Sequence, residues 1–242
     1  SLDRRQRQMC IRDRIGGAGV AGVTGQVDIG NSNTQRIDIN SEVVDFGTGN
    51  VTLTGNTVFT AAAPTIDMIQ TQTAGNGAAD GGNITITGTV TINNGTLDIN
   101  SGGGNIAITG NIGSAGVDEA IILDDGSTIG GSGTASEGTI TLGGTVTSGD
   151  ITLIGDSGIS IAGDLTSNKT ASAAAIAFTG PVTLAGDVII TSDDHASSAI
   201  TFNSTATINS DSTARSLTLD TDNGTITLLS LIHISEPTRP ID

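Results

Sequence analysis

The residues best suited to chemistry in this 242-residue chain are few. His195 stands in Ser192-Asp193-Asp194-His195. A Ser-His-Asp relay there would need a serine placed to hand its proton to the imidazole. No nucleophile motif surrounds it, so the expectation is a polar turn between Ile190 and Ile200. Asp124-Asp125 and Asp193-Asp194 supply paired carboxylates, the groups that cleave glycosidic bonds. Neighbours along a strand, however, point to opposite faces. The acid-rich turns suggest one ion, calcium, and Gly75-Asn76-Gly77-Ala78-Ala79-Asp80-Gly81-Gly82-Asn83 echoes a calcium-binding nonapeptide without its tandem copies. Thr52 and Thr54, Thr85 and Thr87, Thr139 and Thr141, and Thr225 and Thr227 have the spacing of an ice-binding ladder. That ladder breaks at Ala107, Ala177 and Thr201-Phe202-Asn203. None of these patterns assigns a catalytic, cofactor-binding or metal-ligating residue, and a non-enzymatic protein is expected.

The two ends read differently from the middle. Under one choice of codons, Arg4 to Asp13 contains AGATGTGTATAAGAGAC, and the reverse complement of Leu229 to Ser235 contains the same string. Such inverted ends look like a transposon-based sequencing adapter translated in frame. Residues 1–14 and 229–242 are therefore expected to lie outside the fold. The apolar run Leu228 to Ile234 is too short for a membrane span, which takes roughly 20 apolar residues.

Removing those ends sharpens the composition. The 9 Lys and Arg fall to Arg36, Lys169 and Arg215, and the 25 acids lose Asp3, Asp13, Glu236 and Asp242 to leave 21. The net charge of the middle is then 3 − 21 = −18, a field that repels phosphate backbones and excludes nucleic acid as a partner. Cys10 is the one cysteine, so the middle has neither a disulfide framework nor a thiolate metal site. Trp and Tyr are absent, and Ile, Val, Leu, Ala and Thr must fill any core.

Those aliphatics recur in one short pattern: aliphatic, Thr or Ala, aliphatic or Phe, with Gly close on both sides. It appears at Val51-Thr52-Leu53, Ile84-Thr85-Ile86, Ile106-Ala107-Ile108, Ile140-Thr141-Leu142 and Ile151-Thr152-Leu153. It continues at Ile176-Ala177-Phe178, Ile200-Thr201-Phe202 and Ile226-Thr227-Leu228. Alternation with period two marks strands with one buried face. A second aliphatic track follows six residues later, at Val90, Ile112, Val146, Val182 and Ala206. A third strand follows at looser spacing, as at Leu97-Asp98-Ile99 and Val188-Ile189-Ile190.

Three strands per unit predict an all-β fold, a right-handed parallel β-helix with about 22–26 residues per rung over 37–228. Residues 15–36 are expected to be a degenerate rung or frayed edge, with an insertion around Ala61 to Asp80. One stacked column should run Val51, Ile84, Ile106, Ile151, Ile176, Ile200, Ile226, with Ile140 on another side of the coil. Its neighbour should stack Phe178 on Phe202. The alternative is an antiparallel β-sandwich, which also suits short strands but not the recurrence at a fixed offset.

Gly82-Asn83-Ile84-Thr85-Ile86-Thr87-Gly88, Ala185-Gly186-Asp187-Val188-Ile189-Ile190 and Ala214-Arg215-Ser216-Leu217-Thr218-Leu219 resemble the repeats of giant bacterial surface and secreted proteins, filamentous-haemagglutinin-like adhesins and autotransporter passengers. The resemblance covers about 40–228. It implies extracellular or cell-surface placement in a longer protein, with adhesion to a host-cell, cell-surface or matrix ligand as the usual role. A polysaccharide-acting β-helix enzyme and an ice- or calcium-binding solenoid module are the rival expectations.

Overall fold

Short β-branched runs between Gly, Asn and Asp turns favour strands that bury one face. A single turn of such strands encloses only a ring of side chains, so stability requires coil upon coil. The structure is a computed structural model and describes residues 8–11, 27–30, 36–39, 43–45, 49–60, 66–70, 82–116, 119–125, 138–170, 172–193, 195–203 and 205–229. Among these residues the chain is all β, in three sheets whose paired strands are all parallel.

Sheet B contains Val27–Gly30, Val51–Thr54, Ile84–Thr87, Ile106–Ile108, Thr139–Leu142, Gly158–Ile161, Val182–Leu184 and Ile208–Ser210. Sheet A contains Gln8–Ile11, Arg36–Ile39, Asn56–Phe59, Val90–Ile92, Ile112–Ser114, Val146–Ser148, Leu165–Ser167, Val188–Thr191 and Leu217–Asp220. Sheet C contains Val43–Asp45, Ile66–Gln70, Thr96–Asn100, Ala120–Asp124, Asp150–Ile154, Ala175–Thr179, Ala199–Phe202 and Thr225–Leu228. From Val27 onward the chain visits B, then A, then C, and begins again. This is a parallel β-helix, and the antiparallel sandwich is excluded.

Inward residues form one continuous core. Ile84, Ile106, Ile140 and Ile159 on sheet B, and Ile121, Ile151, Ile176 and Ile200 on sheet C, are all at most 1 % exposed. Burying each side chain of this size contributes roughly 1.5–3 kcal/mol. Phe178 lies directly over Phe202, with ring centroids 4.5 Å apart and planes 6° from parallel. Leu153 and Leu228 extend that column on either side.

The expected single aliphatic column is in fact two. Val51, Ile84, Ile106, Ile140 and Ile159 are in register on sheet B. Ile151, Ile176, Ile200 and Ile226 are in register on sheet C. Ile140 thus belongs with Ile106, and Ile151 is the residue on another side. Likewise Val90, Ile112 and Val146 lie on sheet A, whereas Val182 lies on sheet B. The cause is that all three sides need the same inward alternation, so the motif carries no mark of its side. Corner length decides the phase instead.

Corner length also widens the rung. Successive sheet B partners Val27, Val51, Ile84, Ile106, Ile140, Ile159, Val182 and Ile208 are 24, 33, 22, 34, 19, 23 and 26 residues apart. The range is therefore 19–34 rather than 22–26. Within the expected insertion, Ile66–Gln70 is a regular strand paired with Thr96–Asn100, and the rest of that stretch lies outside the described residues. Val27–Gly30 pairs with Val51–Thr54 and carries the coil to the N-terminal side of residue 37. Gln8–Ile11, in the adapter-like stretch, lies as a parallel strand along Arg36–Ile39. A ladder edge presents a row of backbone donors and acceptors that any extended segment satisfies.

The corners explain the glycines. At the B-to-A corner, Gly88 has φ +126, and a Cβ on it would sit 2.6 Å from the Gly55 carbonyl oxygen. A Cβ on Gly110 would collide with the Gly88 carbonyl oxygen, and one on Gly163 with the Gly144 backbone, 2.6 Å away. Backbone therefore stacks on backbone at this corner. At the C-to-B corner asparagines form a ladder. The Asn50 Oδ1 accepts from Asn83 N–H at 2.8 Å, and the Asn83 Oδ1 from Asn105 N–H at 2.8 Å. The Asn105 Oδ1 accepts from Thr139 N–H at 2.9 Å.

Gly110→Ala is expected to cost about 1–3 kcal/mol, because its methyl group meets rigid backbone. Gly113→Ala, where a Cβ meets nothing within 4 Å, should be neutral or slightly stabilising. Equilibrium urea unfolding of the two variants distinguishes them. Phe178→Ala should cost roughly 3–5 kcal/mol in the same assay, and Phe178→Leu distinctly less.

Candidate functional site

The polar residues singled out by sequence fall on corners and outer faces. Residues 192, 193 and 195–198 belong to the A-to-C corner between strands Val188–Thr191 and Ala199–Phe202. There the Ser198 hydroxyl donates to the Asp193 carboxylate, and Ser198 is fully buried. His195 Nδ1 instead accepts from the Ser197 N–H at 3.2 Å. The Ser198 hydroxyl proton is thus directed at a carboxylate, not at the imidazole, and no relay is assembled among the described residues. Asp194 lies outside the described residues.

Asp124 and Asp125 do face opposite ways. Asp125 is 1 % exposed, and its Oδ2 accepts from the Asp156 N–H at 2.6 Å. Asp124 is on the outer face of sheet C. Stacking gives it a partner that adjacency in sequence does not reveal. Asp98 stands opposite Ile122 and so lies diagonally next to Asp124 on that face. Burial, reinforced by the Asp124 charge, pushes the Asp98 carboxyl up to about 6. This is the pair of carboxylates that sequence spacing missed, since 26 residues separate them by number (124 − 98) while register sets them diagonally on adjacent strands.

The threonine pairs do not form one ladder. Thr52 and Thr54 lie against Thr85 and Thr87 on sheet B, but the next partner of Thr85 is Ala107. Thr141 is followed by Ser160 and belongs to the same sheet. Thr225 and Thr227 are on sheet C, a different side altogether. In the nonapeptide-like stretch, residues 75–81 lie outside the described residues, while Asn83 serves the asparagine ladder.

The richest polar cluster spans three coils at the A-to-C corner. Gly149 alone turns this corner between Val146–Ser148 and Asp150–Ile154. Residues 115, 116 and 119 belong to it in the preceding coil, and 168–170 and 172–174 in the following one. The Glu119 carbonyl accepts from the Gly149 N–H at 2.6 Å and the Ser148 hydroxyl at 3.0 Å. The Ser167 hydroxyl donates to the Gly149 carbonyl at 2.7 Å. Asn168 reaches back past Gly149, its Nδ2 donating to Ser114 Oγ at 2.9 Å and to the Gly116 carbonyl at 2.8 Å. Lys169 Nζ donates to Asp150 Oδ2 at 2.5 Å and to the Ala173 carbonyl at 3.3 Å.

Charge elsewhere is tightly held. Each cation of the middle region has an aspartate: Arg36 with Asp38 at 2.5 Å, Lys169 with Asp150 at 2.5 Å, and Arg215 with Asp211 at 2.9 Å. The Arg215 guanidinium and the Thr213 N–H hold the Asp211 carboxyl below its ordinary range. Asp187 is lowered by the backbone and side-chain hydrogen bonds it receives from Ser216. No group of three or more His, Cys, Asp or Glu side chains with metal-binding geometry occurs among the described residues. Nor is any helix there long and apolar enough to cross a membrane.

Fold and surface together define the class, a parallel β-helix with acid-rich, hydrogen-bonded corners. No family model, curated protein or solved structure matches the chain.

Asp98 gives a prediction with a defined sign. Its folded value, about 6, exceeds its ordinary 3.8, so folding takes up a proton between those values. Stability should therefore fall as pH rises from about 4 to about 6 and then level off. Asp98→Asn should raise stability at pH 7 by an amount on the order of 1 kcal/mol, solvent screening at a partly exposed site keeping it small. The gain should vanish below pH 4. Thermal melts of parent and variant across that range provide the check.

Proposed function

We propose that this chain is a non-enzymatic stalk segment, structural or adhesive, of a large exported bacterial surface protein. The observation that carries the proposal is the unbroken core. Side chains from Ile29 to Ala206 pack into one buried cluster that passes through successive coils. A rod of that kind sets a distance and presents repeated faces, and each added rung repeats the same contacts.

Two features support the proposal. Corner acids are largely spent on holding coils together, as with Asp164 accepting from the Ile189 N–H at 2.8 Å and Asp187 from the Ser216 N–H at 2.9 Å. The three cations are each paired with an aspartate, which leaves no free positive patch among them for phosphate or uronate. Extracellular or cell-surface placement, and a host-cell, cell-surface or matrix ligand, follow from the sequence resemblance. Nucleic acid is disfavoured by the net charge of −16 for the whole chain.

The polysaccharide-acting rival draws on Asp98 and Asp124, since a carboxyl raised by burial beside a second carboxyl group resembles the acid pair that glycosidic cleavage uses. Among the described residues their outer face carries Thr96, Ile122, Thr152, Ile154, Ala177 and Thr179 as neighbours, and the cation beside that face, Lys169, is tied to Asp150.

Incubation of the chain with a panel of neutral and acidic polysaccharides should release no reducing ends. Coated on beads, it should be retained saturably by cell surfaces or extracellular matrix. Release of reducing ends that disappears in Asp98→Asn would replace the stalk with an enzyme.

A further inference from the structure

Two identical tripeptides stand in different settings. Asn94-Gly95-Thr96 and Asn223-Gly224-Thr225 share the order Asn-Gly-Thr, and both asparagines are exposed. An asparagine before glycine is open to attack on its own side chain, and asparagine is among the thermolabile residues. The glycine nitrogen reaches the side-chain carbonyl carbon to close a five-membered ring, and glycine has no Cβ to shield that nitrogen. Local sequence thus gives the two sites closely matched reactivity, and what separates them is tertiary. A further pair, Asn76-Gly77, lies outside the described residues.

At Asn223 the nucleophile is engaged. The Gly224 N–H donates to the Thr221 carbonyl at 2.7 Å and closes a turn. Gly224 also packs on the preceding coil, where a Cβ would collide with the Ser198 carbonyl oxygen. Ring closure there has to break the turn and pull the glycine off its neighbour. At Asn94 the corner is held by other atoms. Residues 93–95 lead from Val90–Ile92 to Thr96–Asn100. Asn93 is anchored to the preceding coil, its N–H donating to the Phe59 carbonyl at 3.0 Å and its Nδ2 to Thr60 Oγ1 at 2.8 Å. Gly95 is held through its carbonyl, which accepts from the Ala120 N–H at 3.1 Å, and no acceptor among the described residues takes its own N–H. Its φ of +70° is one that glycine adopts without strain.

We propose that Asn94 is a site of spontaneous covalent modification, deamidation through a succinimide, and that the fold protects Asn223 from the same reaction. The Gly95 nitrogen gives its proton to water and bonds to Asn94 Cγ. The Cγ–Nδ2 bond breaks, and Nδ2 takes up a proton and leaves as ammonia. Water then opens the ring at either carbonyl. Opening at Cγ leaves aspartate. Opening at the main-chain carbonyl leaves isoaspartate, whose backbone runs through Cβ and Cγ. The net change is amide plus water to carboxylate plus ammonium, with no oxidant or reductant. Isoaspartate inserts one extra backbone atom between the Asn93 anchor and the Gly95 carbonyl. Corner length sets the register of each coil, so the Ala120 N–H loses its aligned acceptor and the coil loosens at that point. The reaction is independent of any role as a stalk.

The test is peptide mapping by mass spectrometry of the full chain, aged in mildly alkaline buffer at body temperature and sampled over time. A parallel sample is aged in guanidinium chloride. In the folded chain the Asn94 peptide should gain the mass difference between NH2 and OH and split into isoaspartyl and aspartyl forms. It should do so roughly threefold to tenfold faster than the Asn223 peptide, the factor set by breaking the Gly224 turn bond. In denaturant the two peptides should convert together. Asn94→Gln should remove the change at that site, and the aged parent should melt at a lower Tm than the aged variant. An Asn94 that keeps its amide in the folded chain overturns the proposal. So does an Asn223 that converts there first or at an equal rate, or a difference between the two that persists in denaturant. A Tm unchanged after conversion of Asn94 overturns the loosening of the corner.

Discussion

Each coil of this protein must lie on the next with like residues over like. Because the coil winds one way, successive strands on each side run in the same direction, and a strand one spacing away, about 4.8 Å, satisfies the backbone of its neighbour at the register that sets like over like. Every other feature is a consequence. Ile106 sits between Ile84 and Ile140, and Phe178 between Leu153 and Phe202. The core therefore needs neither Trp nor Tyr to knit it together. It is a set of short aliphatic columns, each completed by the coil above and the coil below.

The same constraint dictates the corners. Where a strand ends, its backbone donors still need partners, and the chain must turn without pushing its neighbours apart. Glycine answers the second need by allowing backbone to lie on backbone, as Gly88 lies over Gly55. Asparagine and aspartate answer the first, with Asn50, Asn83 and Asn105 each reaching up to the next coil. An acidic composition in this setting is a structural device as much as an electrostatic one. Side-chain oxygens act as substitute carbonyls at the places where the sheet ladder stops.

Corners of unequal length create the chemistry that regular stacking cannot. A one-residue turn at Gly149 between two longer turns brings Glu119 and Asn168 to the same corner from separate coils. On the faces, by contrast, register brings side chains together diagonally, and Asp98 comes to lie near Asp124. Partial burial, with the neighbouring Asp124 adding to it, raises Asp98 above its ordinary value. Neither arrangement involves residues adjacent in the chain.

How much was legible beforehand follows from the range of each interaction. Period-two alternation, Gly-Asn and Gly-Asp turns and the recurring three-residue strand motif are local or repetitive, so the parallel coil and the Phe178 and Phe202 stack could be read from residue order alone. The opposite facing of Asp124 and Asp125 was equally readable, because it depends only on strand geometry. The side on which each motif falls was not. All three sides demand the same inward pattern, and only the accumulated lengths of the corners place Ile140 over Ile106 and send Ile151 to sheet C. The polar pairings were hidden for the same reason. Asn168 lies 54 residues from Ser114 and 2.9 Å away, a proximity set by how many residues turn each corner, which three-dimensional stacking alone decides.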